Sequence, residues 1–225
     1  EPDGLHGGGA DPSTQPAPAG AVTRWLEARG NVAITAYASI AAFLTYFAMY
    51  AYRKPFSAAT YDGEVTLLGG VVALKTAFVI AQLIGYTVSK YAGVSLLAAM
   101  KHHQRPWVIL GLIGSAELAL VGFGATGPAG KVLCIFLSGL PLGAVWGVVV
   151  SYLEGRRSSE VMLAVLSSAY IVASGATKDA GRWVMNAWEV NAFWMPAATG
   201  LLFAPMLLVA VWMLAQTPAP NAADV

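Results

Sequence analysis

The chain has 225 residues, of which 57% are hydrophobic and only 11% are charged, and its formal net charge is +1. Soluble domains carry about 25% charged residues, so this composition excludes an ordinary water-soluble fold and indicates a protein that lies in lipid. The charge balance argues against a nucleic-acid partner. The single cysteine, Cys134, rules out an intrachain disulfide or a cysteine-rich metal site.

Residues 1–23 begin with EPDGLHGGGADPSTQPAPAGA, a stretch rich in glycine, proline and alanine without a periodic apolar pattern. This composition predicts a disordered tail, which we place in the cytoplasm. Residues 24–217 form the predicted transmembrane domain, and residues 218–225 form a polar linker or tail. Because the sequence starts at Glu1 and not at a methionine, we expect it to be a piece of a longer protein.

Six apolar stretches follow the tail, each close to the ~20 residues that cross a bilayer as a helix. They predict an all-α, polytopic membrane protein with six transmembrane helices. The predicted spans run from about Asn31 to Tyr52, Leu67 to Met100, Trp107 to Gly124, Val132 to Leu153, Val161 to Met185 and Phe193 to Ala215.

The cations of the short loops predict the orientation of the helices. The loops on one side carry Arg24, Arg29, Lys101, Arg105, Arg156 and Arg157, whereas those on the other side carry only Lys131. Lysine and arginine favour cytoplasmic loops. We therefore expect a multi-pass protein of the cell inner membrane with both termini in the cytoplasm.

The first span ends in YFAMYAYRKPF, which places Arg53 and Lys54 on the side that otherwise avoids cations. Tyr46, Tyr50 and Arg53 share one face of a helix that would continue through a kink at Pro55. In one interpretation, both cations reach outward to lipid headgroups. In the other, they form an anion site, where the guanidinium fork binds phosphate or carboxylate and the tyrosines donate their hydroxyls.

The second span carries polar residues along one face of an apolar helix. Lys75, Gln82, Tyr86 and Lys90 are spaced by seven, four and four residues, and the opposite face is apolar. This pattern predicts a stripe that lines a wet interior. Lys75 also fits the outer interface, so Lys90, which lies deeper, is the better candidate ligand.

Two further charged features lie in the third and fifth spans. In SGATKDAGRW, Lys178 and Arg182 are one turn apart and Asp179 can pair with Arg182. This cluster is either an interfacial ion-pair network or a substrate or gating site. Glu117 stands alone in the third span, where it either pairs with one of the cations or carries a proton.

The fourth span has Gly139, Gly143, Gly147 and Ser151 at intervals of four residues, a pattern typical of close helix packing or of a sliding contact.

The sequence shows no motif that is typical of an enzyme active site. The chain has no H-E-x-x-H, no nucleophile elbow and no histidine within a predicted span. We therefore predict that it is not an enzyme and that it needs no cofactor or metal.

Several short motifs resemble the N-terminal half of a major facilitator superfamily transporter, within the organophosphate:phosphate antiporter branch. They are YAYRKPF, GYTVSKYAG, SGLPLGAVWG and FWMPAATGLLFAPMLL. The resemblance implies two inverted three-helix repeats, with Arg53, Lys54 and Lys90 facing the substrate. It also implies a second six-helix half, either a missing C-terminal portion or a paired copy.

Two departures from that family predict a divergent subfamily. The loop AGVSLLAAMKHHQRP lacks the acidic-basic signature of the superfamily, and Val172 stands where phosphate antiporters have a histidine. We expect a secondary transporter for a small organic anion, possibly a phosphorylated one, that works by alternating access. The alternative is a membrane scaffold or sensor that transports nothing.

Overall fold

The computed structural model describes residues 20–67, 69–97 and 100–220, so most of the predicted tail, at residues 1–19, and the last five residues lie outside the described part. The helices are α1 Ala21–Arg29, α2 Asn31–Arg53, α3 Leu74–Leu97, α4 Arg105–Ala125, α5 Pro128–Val150, α6 Ser159–Ala187 and α7 Met195–Ala215. Short 3-10 turns cover Pro55–Ala58 and His102–Gln104, and two strands, β1 Glu64–Leu67 and β2 Gly70–Ala73, form a hairpin.

The predicted disordered tail is wrong for its last residues, because α1 begins at Ala21. Leu26 of this helix is fully buried, so packing stabilises a segment whose composition predicts disorder. Gly30, at φ +80°, breaks the helix before α2 starts. This left-handed conformation is one that glycine adopts without a steric penalty.

The predicted start of the second span near Leu67 is also wrong. Residues 64–67 and 70–73 pair as antiparallel strands, Glu64 with Ala73 and Leu67 with Gly70, and α3 starts only at Leu74. The sequences EVTL and GVVA are rich in β-branched residues, which favour strands over helices. The apolar run therefore divides into a hairpin and a helix, and the fold is not purely helical.

Five helical segments of the described chain are long and apolar enough to cross a membrane. They are Asn31–Arg53, His102–Ala125, Pro128–Val150, Ser159–Ala187 and Met195–Ala215. The prediction of several apolar helices of membrane-spanning length is thereby confirmed for these five. Helix α3, which carries Lys75, Gln82 and Lys90, has 24 residues but is not among the five.

Helix α5 packs closely against α3 and α4, while α2 packs against α6 and α7. Glycines bring α5 and α3 together: a Cβ at Gly139 would lie 2.7 Å from the carbonyl oxygen of Gln82, and one at Gly143 would lie 3.1 Å from the backbone nitrogen of Lys90. The predicted packing role of the glycine stripe is confirmed at these two positions. The contact also fixes α3 beside α5, where the candidate site lies.

The end of the bundle at which α2 terminates is filled by aromatic side chains. Tyr61 makes edge contacts with the rings of Phe78 and Phe123, and its hydroxyl donates to the carbonyl oxygen of Ala192 at 3.2 Å. Burial raises the pKa of Tyr61 well above its ordinary value. Its phenol therefore stays neutral and anchors the loop between α2 and the hairpin.

Lys131 is predicted as a loop cation but lies inside the first turn of α5. Its side chain is buried, and Nζ donates to the carbonyl oxygen of Phe123 at 2.9 Å and stands 4.3 Å from the ring centroid of Phe193. Carbonyl groups in the last turn of a helix have no partner within the helix. Lys131 therefore caps the end of α4.

Candidate anion-binding site

Helix α2 ends at Arg53 and does not continue through Pro55 as a kinked helix. The backbone N–H of Lys54 donates to the carbonyl oxygen of Tyr50 at 2.9 Å, and Pro55 then opens a 3-10 turn. Lys54 itself still lies in the α region, but proline has no N–H to continue the ladder and its ring clashes with the carbonyl group four residues earlier. Arg53 consequently projects from the last turn of α2.

The guanidinium of Arg53 turns into the bundle and lies on aromatic rings. Its Cζ is 3.7 Å from the ring centroid of Tyr86 and 5.4 Å from that of Tyr50, and Nη1 donates to the Tyr50 hydroxyl at 3.1 Å. Its Nε is buried and has no hydrogen-bond partner within the described part of the chain. The side chain is thus held by π faces while retaining unused donors.

Tyr46 connects the three helices that surround Arg53. Its hydroxyl shares a hydrogen bond of 3.1 Å with the hydroxyl of Tyr86 on α3, and its ring meets Trp146 of α5 edge-on at 5.1 Å. Only 2% of Tyr46 is exposed. Two members of the predicted face therefore contact α3, namely Tyr46 and Arg53, and Tyr46 also contacts α5.

A cavity of about 490 Å³, here called the Arg53 cavity, opens beside these residues. Lys90 lies at its exposed side, with Nζ 5.6 Å from the ring centroid of Trp146. Two cations thus face one space whose walls are largely aromatic and aliphatic. The lining residues are Arg53, Leu83, Tyr86, Thr87, Lys90, Tyr91, Gly143, Ala144, Trp146 and Gly147.

The predicted stripe on α3 is only partly brought into the Arg53 cavity. Tyr86 and Lys90 line it, whereas Gln82 is buried against α5, near Gly139, and is not part of the lining. The Nε2 of Gln82 has no partner among the described residues. Lys75 is partly buried near the start of α3 and is also outside the lining.

Lys54 and Lys178 lie near one another outside the lining of the Arg53 cavity. Burial, together with the positive charges of Arg53 and Lys178, lowers the pKa of Lys54 below its ordinary value. Both lysines are partly buried. They place additional positive charge near the end of α2 without lining the Arg53 cavity.

Asp179 and Arg182 form the predicted ion pair one turn apart on α6. Arg182 Nη1 donates to Asp179 Oδ1 at 2.6 Å, and the two side chains are 56% and 73% exposed. Neither residue lines the Arg53 cavity. Exposed pairs of this kind contribute about 0.2–1 kcal/mol, so we interpret the pair as part of the surface.

Glu117 lies on the opposite side of α2, where α4 meets α7. Both of its carboxylate oxygens are buried and lack a hydrogen-bond partner in the described ranges. A Cβ at Gly200 would collide with Oε2 and would lie 2.9 Å from the ring of Tyr52. No salt bridge to Glu117 is formed within the described residues, so the ion-pair interpretation finds no support.

Trp146, Thr87 and Tyr91 line the Arg53 cavity but were not predicted as site residues. Trp146 follows Gly143 by three residues, so it shares the face of α5 that contacts α3. Leu83, Thr87 and Tyr91 follow one another at intervals of four residues, so they share one face of α3. If these intervals are interpreted as helix faces, they identify all three residues.

Within the described ranges, no group of three His, Cys, Asp or Glu side chains is placed to hold a metal ion.

Residues 55–225 match the model of a family of unknown function (DUF5690). The chain belongs to this family. The match includes Tyr86, Lys90 and Glu117, whereas Arg53 and Lys54 precede its first residue. No curated protein and no solved structure gives a match to the chain.

Proposed function

We propose that this DUF5690 member is a six-helix half of a secondary transporter for a small organic anion, possibly a phosphorylated one. The observation that carries the proposal is Arg53, whose guanidinium is held inside an apolar bundle at the wall of an open cavity that also contains Lys90. A buried charge is costly unless it is paired, and the buried Nε of Arg53 has no hydrogen-bond partner in the described part of the chain. Its position therefore points to a bound anion as its function.

The chemistry of the cavity suits an anion with a small organic body. Arg53 offers a planar fork for two oxygens, and Lys90 adds a second, mobile charge. The Thr87 hydroxyl and the ring of Trp146 belong to the same lining. A phosphate or carboxylate would contact the cations, while its carbon skeleton would contact the aromatic wall.

The packing of the helices supports two inverted three-helix repeats, with α3 as the sixth span. In this arrangement α2, α3 and α4 of the first repeat correspond to α5, α6 and α7 of the second repeat. The contact of α3 with α5 then corresponds to the contact of α6 with α2. Likewise, the contact of α4 with α5 corresponds to the contact of α7 with α2. All four of these contacts are extensive, and α4 with α7 maps onto itself. Such symmetry is typical of transporters that alternate access by rocking one half against another.

In this proposal, α2 and α5 line the substrate path, and a second six-helix half covers the Arg53 cavity. That half is either a further portion of the protein or a paired copy. The short loops favour an inner-membrane location with both termini in the cytoplasm. The resemblance to the organophosphate:phosphate antiporters suggests exchange as the mode of transport.

Anion binding by the purified chain in lipid nanodiscs tests the site. Inorganic phosphate and glycerol 3-phosphate are the probes, and the rise in thermal unfolding temperature with probe concentration is the readout, because a ligand of the native state stabilises it. Arg53→Ala and Lys90→Ala should abolish the rise. Arg182→Ala and Lys75→Ala, which remove cations outside the cavity lining, should leave it intact.

Exchange of labelled phosphate across liposomes that contain the chain then tests transport. Loss of exchange in Arg53→Ala, with exchange kept in Arg182→Ala, would support a carrier. If the wild-type chain neither binds nor exchanges either probe, or if both cavity mutants bind as the wild type does, the scaffold or sensor becomes the better interpretation.

A further inference from the structure

We propose that Glu117 is a buried proton-binding site, which holds a proton on its carboxyl group inside the bundle. Glu117 is the thirteenth residue of α4, so it lies about 18 Å from the start of that helix and about 12 Å from its end at 1.5 Å per residue. It is therefore far from both ends of a helix that is long and apolar enough to span the membrane.

The space around the carboxyl group is closed by two neighbouring helices. Gly200 of α7 packs directly on Oε2, and the ring of Tyr52 on α2 lies against the same glycine. Tyr52 is 4% exposed, and both carboxylate oxygens are fully buried. A side chain at position 200 would require Oε2 of Glu117 and the ring of Tyr52 to shift.

The helices packed against α4 bring no cation to Glu117. Helix α7 has no ionisable side chain, and α5 contributes Cys134 and Lys131, whose Nζ donates to carbonyl oxygens at the end of α4. The one charged residue of α2 is Arg53, which lies on Tyr86 towards α3. Arg105, at the start of α4, donates to the carbonyl oxygen of Ser151 at 2.8 Å. Tyr52 is therefore the titratable neighbour that faces Glu117 in the described part of the chain.

These surroundings favour the neutral carboxyl group. An ionised carboxylate buried without a partner is far more costly than a neutral acid, because neither water nor a cation compensates for its lost solvation. Binding of a proton forms one O–H bond on a carboxylate oxygen of Glu117, with the proton taken from water. Release breaks that bond and returns the proton to water when the packing at Gly200 opens.

Tyr52 connects this proton site to the anion site. It precedes Arg53 directly on α2, so the two residues project from neighbouring sides of one helix, Tyr52 towards Gly200 and Arg53 towards Tyr86. A shift of α2 that admits water to Glu117 also displaces Arg53. The coupling, in which a proton accompanies the anion, rests on the proposed function, whereas the proton site itself does not.

Infrared spectroscopy of the full chain in lipid nanodiscs tests the proton site without any substrate. The wild type should show the carbonyl stretch of a protonated carboxylic acid at neutral pH, and the band should shift in D2O and disappear at alkaline pH. Glu117→Gln should lack the band. Glu160→Gln, which removes an exposed acid of α6, should keep it.

Gly200→Ala provides a second test that leaves the carboxyl group in place. Its Cβ would crowd Oε2, so the frequency of the band should change. Identical spectra for the wild type and Glu117→Gln would overturn the proton site. An unchanged frequency in Gly200→Ala would also overturn it, even if Glu117→Gln does not fold.

Uptake into liposomes under a pH gradient tests the coupling, with glycerol 3-phosphate as the probe. Acidifying the outside should accelerate uptake by the wild type several-fold, and the gradient should have no effect in Glu117→Gln. Acceleration by a sodium gradient in place of a pH gradient would overturn the coupling. If Arg53→Ala transports normally while the infrared band persists, the anion site fails and the proton site stands.

Discussion

Helix α2 separates two ionisable residues that are placed in very different surroundings. On the side towards α3 and α5, Arg53 contacts two aromatic rings and a hydroxyl and opens to a cavity of about 490 Å³. On the side towards α4 and α7, Glu117 is closed in by Gly200 and has no partner among the described residues. The comparison sets a cation with an unused donor beside an open cavity against an acid that is enclosed by packing, and our proposals assign an anion to the first and a proton to the second.

The largest expected effect comes from removing the charge that faces the Arg53 cavity. Arg53→Ala should weaken binding of inorganic phosphate by about 100-fold or more, because each hydrogen bond to a charged group contributes about 1.5–3 kcal/mol. Arg53→Lys should recover only part of the loss, since lysine lacks the two-pronged geometry. Calorimetric titration measures both. Equal affinities in Arg53→Lys and the wild type would contradict the predicted two-point contact.

The next largest effect is expected from a change in the glycine contact between α5 and α3, the two helices that line the Arg53 cavity. Gly143→Ala should destabilise the bundle by about 1–3 kcal/mol, because its Cβ would meet the backbone of α3 at Tyr86 and Lys90. Thermal unfolding in nanodiscs measures the change. The matched control is Gly114→Ala on α4, where no atom lies within 4 Å of the new Cβ; it should be neutral or slightly stabilising.

A similar substitution probes the other side of α2. Gly200→Ala should cost about 1–2 kcal/mol on its own, since the new methyl group crowds Glu117 and Tyr52. In the background of Glu117→Ala, which leaves space for that methyl, the cost should largely disappear. A double-mutant cycle of unfolding free energies measures this coupling. Additive costs would show that the two residues do not share a pocket.

The smallest expected effect comes from removing the hydroxyl group of Tyr46 while keeping its aromatic ring. Tyr46→Phe should destabilise by about 1 kcal/mol, because it removes the hydrogen bond to the Tyr86 hydroxyl and keeps the ring contact with Trp146. Tyr170→Phe, at a residue that is 41% exposed, is the control and should change the unfolding temperature little. A larger loss than in Gly143→Ala would mean that the hydroxyl pair, and not the glycine contact, holds α3 in place.

Sequence patterns predicted the helices and part of the site because helical spacing sets which residues share a face. The intervals of Tyr46, Tyr50 and Arg53, and of Tyr86 and Lys90, were sufficient to place these residues together on α2 and α3. The same reasoning misplaced Gln82, since periodicity does not tell which neighbour a stripe contacts. Gly139 of α5 allows Gln82 to be buried against that helix.

The errors arise where apolar composition is ambiguous or where tertiary packing dominates. The run that follows Glu64 is apolar enough to extend a helix, yet its valines pair as strands before α3 begins. Residues 21–23 resemble a tail but belong to a helix that is anchored by Leu26. The isolation of Glu117 was also beyond prediction, because it depends on where each cation of the neighbouring helices points.

The position of Lys131 affects how the orientation of the protein can be measured. Its amine is turned back onto the carbonyl oxygens of Phe123 and Gly124 and is shielded by the ring of Phe193. An acylating reagent that does not cross the bilayer would therefore miss this lysine even when applied to the face on which the loop between α4 and α5 lies. Topology mapping should instead use a cysteine introduced at Gly127, because no atom lies within 4 Å of a side chain added there.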